Sequence, residues 1–195
     1  PQNKTIEIPT QRLFSWQEVQ RLATHEITVH AFRCENGAHT EGTFQIPKLK
    51  TGWPSYIATE EGLASYIEQI TEQQDLETLR KYAARQVAAS CANEGESFVQ
   101  TFEQLVSLSI APYDAFETTR RIFRRGGYLK DQAYWSGLQE VHALAKHAPE
   151  KIAKLFIGKI SIQQLPILEN LLEPQAWQNL KLPPILMPKS NNSNA

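Results

Sequence analysis

The stretch Thr24–His30, THEITVH, decides how this chain is read. It resembles the metal-binding signature H-E-x-x-H with one residue too many. In that signature the histidines are four apart and share a helix face, whereas His25 and His30 are five apart. On a regular helix of 3.6 residues per turn, that spacing separates them by roughly 140°. A single π-bulge, with hydrogen bonds running i→i+5, would absorb the extra residue and bring both imidazoles to one point. Such bulges are frequent at functional sites. Ser15 is the expected N-cap of this helix, with Glu18 completing a capping box. Asn36-Gly37 is its expected stop.

Two histidines do not make a catalytic zinc site, which needs a third protein ligand and an open fourth position. The best candidate lies in ATEEGLASY, Ala58–Tyr66. On a helix, Ile57, Ala64 and Ser65 share a face with Glu61, and small residues there let a second helix approach closely. Glu60 would point about 100° away. His25, His30 and Glu61 are therefore the candidate metal ligands. An ordinary solvated helix face is the competing reading of the paired glutamates. His39, His142 and His147 read as surface residues.

Outward from these helices, the composition is that of a globular domain. The chain has 195 residues, 41% hydrophobic and 21% charged, with a formal net charge of −1. A nucleic-acid binder would show a basic excess. Cys34 and Cys91 form no CxxC pair, which speaks against a disulfide framework and for a reducing, cytoplasmic setting. No apolar run approaches the ~18 residues of a membrane span. The N-terminus has no apolar h-region of a signal peptide and no initiator Met, so the chain is expected to be the C-terminal part of a longer protein.

Lys4–Ile8, KTIEI, alternates like a short strand ended by Pro9. Residues 37–53 read as a loop with an extended piece at Thr43–Ile46. Helical patterns follow over 55–70, 75–92, 97–109, 112–124, 131–147, 149–157 and 161–172, punctuated by Gly95, Pro112, Gly126-Gly127, Pro149 and Gly158. The expected architecture is a predominantly helical α+β domain over residues 1–178, with one or a few short strands beside the metal-binding helix. Residues 179–195 read as a disordered tail.

HEITVH, followed 36 residues after its first histidine by the second Glu of TEEGLA, resembles the tubulin tyrosine carboxypeptidase family, including its bacterial QEGLA-motif members. The resemblance continues in SFVQTFEQLV (Ser97–Val106), DAFETTRRIFRRGG (Asp114–Gly127) and YLKDQAYWSGLQEV (Tyr128–Val141). Two departures are FRRGG, where the family commonly has glycine after the first Arg, and Glu60, where many bacterial members carry Gln. The resemblance implies a zincin-like metallopeptidase. His25, His30 and Glu61 match the zinc ligands and Glu26 the catalytic glutamate. Arg124, Lys130, Asp131 and Tyr134 match a later block.

The resemblance implies a zinc carboxypeptidase that releases a C-terminal residue, with an aromatic, Tyr-like residue as the candidate, from a peptide or protein. Tubulin is the implied substrate only in a eukaryotic source. Zinc acidifies water and polarises the scissile carbonyl. Glu26 serves as general base. Tyr134 is a candidate oxyanion donor, with a core aromatic as the alternative. Arg124 and Lys130 are candidates for the substrate's terminal carboxylate, with a cationic helix end as the alternative. An endopeptidase on the same site, or an inert helical binding domain, would be the competing functions.

Overall fold

The computed structural model describes residues 13–73, 76–124 and 127–187, with 127–132 described by backbone alone. A continuous helical rod opens it: α1 (Trp16–Ala23), a π-helical segment (Thr24–Ala31) and α2 (Phe32–Phe44) follow without a break. Ser15 caps the rod as expected, accepting from the Glu18 amide while the Glu18 carboxylate accepts from the Ser15 amide. Then come α3 (Tyr56–Ile70), α4 (Leu76–Asn93), α5 (Phe98–Ser107), α6 (Pro112–Phe123) and α7 (Gly127–His147). Short α8 (Glu150–Lys154), α9 (Leu165–Leu171) and α10 (Pro174–Gln178) close the chain, joined by 3₁₀ turns.

The expected α+β, zincin-like class is corrected: among the described residues there is no strand. The proposed strand at Lys4–Ile8 lies outside the described residues. The expected extended piece at Thr43–Ile46 is instead the last turn of α2 followed by Gln45 in a left-handed cap. Segment 46–53 does pair with a distant segment, through Lys159 N–H to Leu49 C=O and Trp53 N–H to Lys159 C=O. Two left-handed positions, Lys48 at φ 65° and Gly52 at φ 114°, curl it into turns, so no ladder propagates.

Gly37 does not end its helix. A Cβ there would strike the Leu49 carbonyl, so the glycine admits the 47–53 turns against α2, which runs on to Phe44. Likewise Gly62 gives α3 its closest approach to α7, not to the metal helix. A side chain at Gly62 would meet the Gly137 carbonyl, and one at Gly137 the Ala58 carbonyl. α3 is consequently enclosed: Thr59, Glu60, Gly62, Leu63, Ala64, Ser65, Ile67 and Glu68 are all buried. Ile57 and Ile70, near its ends, remain exposed, but the polar groups buried along its middle must find internal partners.

Two cores result. The larger joins Val29, Leu63, Ala64 and Ile67 to Val141 and to Leu155, Phe156, Ile157 and Ile160. The smaller, between α4, α5 and α6, is alanine-rich: Ala84, Ala88, Ala89 and Ala115 with Leu105 and Ile122. The start of the segment read as a tail packs on the larger core through Leu180, Leu182 and Leu186. Asn36 fixes it by donating to the Lys181 carbonyl (2.9 Å) and accepting from its amide (3.0 Å).

Candidate metal centre

The extra residue of THEITVH is absorbed by the π-helix over Thr24–Ala31, where the Phe32 N–H reaches back to the Ile27 carbonyl. The widened turn replaces the 140° separation of an ideal helix and puts His25 and His30 side by side. Their rings lie edge to face with centroids 4.7 Å apart. Both are buried, at 7% and 9% exposure.

α3 crosses this turn and presents three carboxylates. Glu61 Oε2 lies 3.2 Å from His25 Nε2 and 3.8 Å from His30 Nε2. The outward nitrogens face other carboxylates: His25 Nδ1 is 2.7 Å from Glu68 Oε1, and His30 Nδ1 is 2.9 Å from Glu60 Oε1. Cations stand behind these two. Arg21 lies 3.7 Å from Glu68, Lys159 lies 2.9 Å from Glu60 Oε1, and Arg33 lies 3.9 Å from Glu60 Oε2. Fully buried Arg33 also donates to the carbonyls of Leu155, Gly158 and Ile160, tying the rod to the 155–160 segment.

The electrostatics follow this arrangement. Burial alone would depress the His25 pKa, but Glu61 and Glu68 outweigh it and raise it to about 9. Burial opposes ionisation of Glu60, yet His30, Arg33 and Lys159 hold it at about 2. Glu61 is likewise held below its ordinary range, against burial, by hydrogen bonds with His25 and Tyr134. Burial and the Glu61 charge push the Tyr134 hydroxyl up, so it stays a protonated donor. Two imidazoles enclosed by ionised carboxylates form a site that favours a cation.

The donor set fits zinc. Bonds of 2.0–2.1 Å in a tetrahedron place ligand atoms about 3.3 Å apart, close to the separations of Glu61 from the two Nε2 atoms. Each histidine also has a carboxylate beside its other nitrogen, one of the partners (carboxylate, carbonyl or water) that metal-bound histidines almost always have there. Glu26 belongs to the same cluster, its carboxylate within 4.8 Å of both imidazoles. It is only half-buried and lies on the histidines' own helix, leaving it open to water while Glu61 faces the Nε2 atoms from across.

Tyr134 reaches the site from α7. Its ring lies parallel to His25 at 6.3 Å and to Tyr82 at 6.4 Å. Arg124 is not brought to this cluster. It is exposed at the end of α6, and its charge acts on Glu117. Arg121, one turn earlier, is the α6 cation that pulls the Tyr134 hydroxyl downward. The side chains of Lys130 and Asp131 lie outside the described residues. Sequence reasoning missed Glu68 and the role of Glu60. Glu68 stands seven residues after Glu61 on one helix stripe, a legible signal. Lys159 carries none, because only folding brings residue 159 to α3.

Among the described residues these features define a helical protein with a candidate metal centre between its first helical rod and α3. The family model described as microtubule-associated tyrosine carboxypeptidase matches residues 2–195. The chain belongs to that family, as its motifs implied. No curated protein and no solved structure matches it.

Proposed function

We propose that the chain is a zinc-dependent carboxypeptidase in which His25, His30 and Glu61 hold the metal. The observation that carries this reading is the approach of one carboxylate oxygen, Glu61 Oε2, to the Nε2 atoms of both histidines, beside Glu26. The family supplies the carboxypeptidase class. When bound, zinc would supply a Lewis acid for water and for the scissile carbonyl. The Glu26 carboxylate takes the proton of the attacking water and returns it to the leaving amine. The Tyr134 hydroxyl, kept protonated, donates to the oxygen that gains charge as the carbonyl is attacked. Arg124, exposed beyond the cluster at the end of α6, and Lys130 are proposed to bind the terminal carboxylate, which an exopeptidase must recognise, of a substrate that extends from the metal centre.

The substrate is a peptide or protein C-terminus ending in Tyr or a similar aromatic residue, and tubulin in a eukaryotic source. The cytoplasm is the proposed setting: Cys34 and Cys91 are free, and no helix of the described residues is long and apolar enough to cross a membrane. The test combines metal content with peptide cleavage. About one zinc per chain, sharply reduced in Glu61→Ala, is expected, with release of Tyr from a free-ended peptide and none from its amidated form. Absence of zinc after incubation with the metal would refute the reading. Equal cleavage of both peptides would favour an endopeptidase.

A further inference from the structure

Each imidazole of the centre has a private carboxylate, and neither carboxylate is a proposed ligand. Glu68 is fully buried two turns beyond Glu61, with its Oε1 2.7 Å from His25 Nδ1. Glu60, 3% exposed, places its Oε1 2.9 Å from His30 Nδ1. Burying a carboxylate costs several kcal/mol unless a partner compensates, so two such groups beside two histidines are not neutral filler. Each is held from behind by a cation of a different element, Arg21 on α1 for Glu68 and Lys159 of the 155–160 segment for Glu60. The two cation–carboxylate–imidazole chains run outward in different directions from one point, Glu61 Oε2.

We propose that Glu68 and Glu60 are positioning residues that keep the proton of each histidine on Nδ1, so that both Nε2 lone pairs face Glu61. This rests on the metal centre proposed above and assigns it a supporting shell. An imidazole free to flip or to change tautomer would also present its N–H to the metal. When a metal displaces the proton facing Glu61, an acceptor fixed on Nδ1 holds the remaining proton there and raises the basicity of the ligating nitrogen. The chain thereby couples metal affinity to residues far apart in sequence. The turn at Lys159, held to the first helical rod by the Arg33 bonds to Leu155, Gly158 and Ile160 and ion-paired to Glu60, sets the orientation of His30.

The test uses the full chain, the parent beside Glu68→Gln and Glu60→Gln. Zinc affinity is read by competition with a chromophoric chelator, the visible spectrum of the cobalt-substituted proteins reports ligand geometry, and circular dichroism reports folding. The expected result is a loss of affinity of about 10- to 100-fold in each variant, with an altered cobalt spectrum and unchanged helicity. Long-range proton–nitrogen NMR on the zinc-loaded parent is expected to show Nδ1–H on both histidines, and this holds even if Glu60→Gln does not fold. Affinities within about twofold of the parent with unchanged cobalt spectra, or Nε2–H on either ring, would overturn the proposal while leaving the metal centre standing. A parent that takes up no zinc would overturn the centre itself, and the positioning roles with it.

Discussion

Around α3 the interior holds Arg33, Glu60 and Glu68 among Leu63, Phe156 and Ile157, whereas between α4, α5 and α6 it holds little but alanines, Leu105 and Ile122. The second region is what a small helical packing unit requires: close-fitting side chains and no buried charge. The first contains charges whose desolvation a purely structural core would avoid. The contrast teaches where to look for chemistry. Buried ions gather where α3 meets the π-turn, and the alanine-rich unit packs against α7.

Breaking the functional half should separate activity from stability. Glu26→Gln is expected to lower cleavage of a Tyr-ending peptide by about 10²- to 10⁴-fold, the usual worth of a general base. Its melting temperature should stay close to the parent's, because Glu26 is half-buried and outside the core; steady-state kinetics beside thermal melts checks both. Arg33→Met should do the reverse on stability. It removes three hydrogen bonds to carbonyls and leaves Glu60 with less counter-charge, at a cost of about 3–5 kcal/mol by denaturant titration. Zinc affinity should fall with it, since the 155–160 segment loses its anchor.

Within the alanine-rich half, Leu105→Ala should cost about 2–5 kcal/mol, as other buried leucines do. Zinc affinity measured below the melting transition should remain that of the parent. A parallel loss of affinity would mean that the two halves are not separable. The smallest effect is expected at Glu169, which Lys154 and Lys151 hold below the ordinary carboxylate range against a small opposing effect of burial. A depressed folded-state pKa stabilises above the unfolded value and loses that contribution as pH falls through the folded one. Glu169→Gln should therefore cost under about 1 kcal/mol near neutral pH. The difference from the parent should vanish in acid, as paired denaturation curves at two pH values would show.

Helix existence was largely legible, because apolar spacing and a cap such as Ser15 with Glu18 are local. The His25–His30 spacing carried its own correction, since five residues on one face imply an i→i+5 turn, and the π-helix is present. Gly37 was misread as a helix stop. A glycine's local meaning is a turn or a small face, whereas its use here is backbone contact with residues far along the chain. The extended piece expected at Thr43–Ile46 failed similarly: α2 runs on to Phe44 and Gln45 caps it in a left-handed conformation, which side-chain alternation does not reveal.

By itself the sequence determined the helices, the spacing of His25, Glu26 and His30, and Glu61 as the carboxylate to meet them. These are properties of residue order, fixed by periodicity and side-chain chemistry. Only the tertiary structure decided that α3 is enclosed, that Glu68 and Glu60 take the outer nitrogens, and that Lys159 and Arg33 stand behind Glu60. Those pairings join groups distant in the chain. Their geometry arises from the packing of Gly62 on Gly137 and of residues 155–160 on α2, which no local pattern encodes.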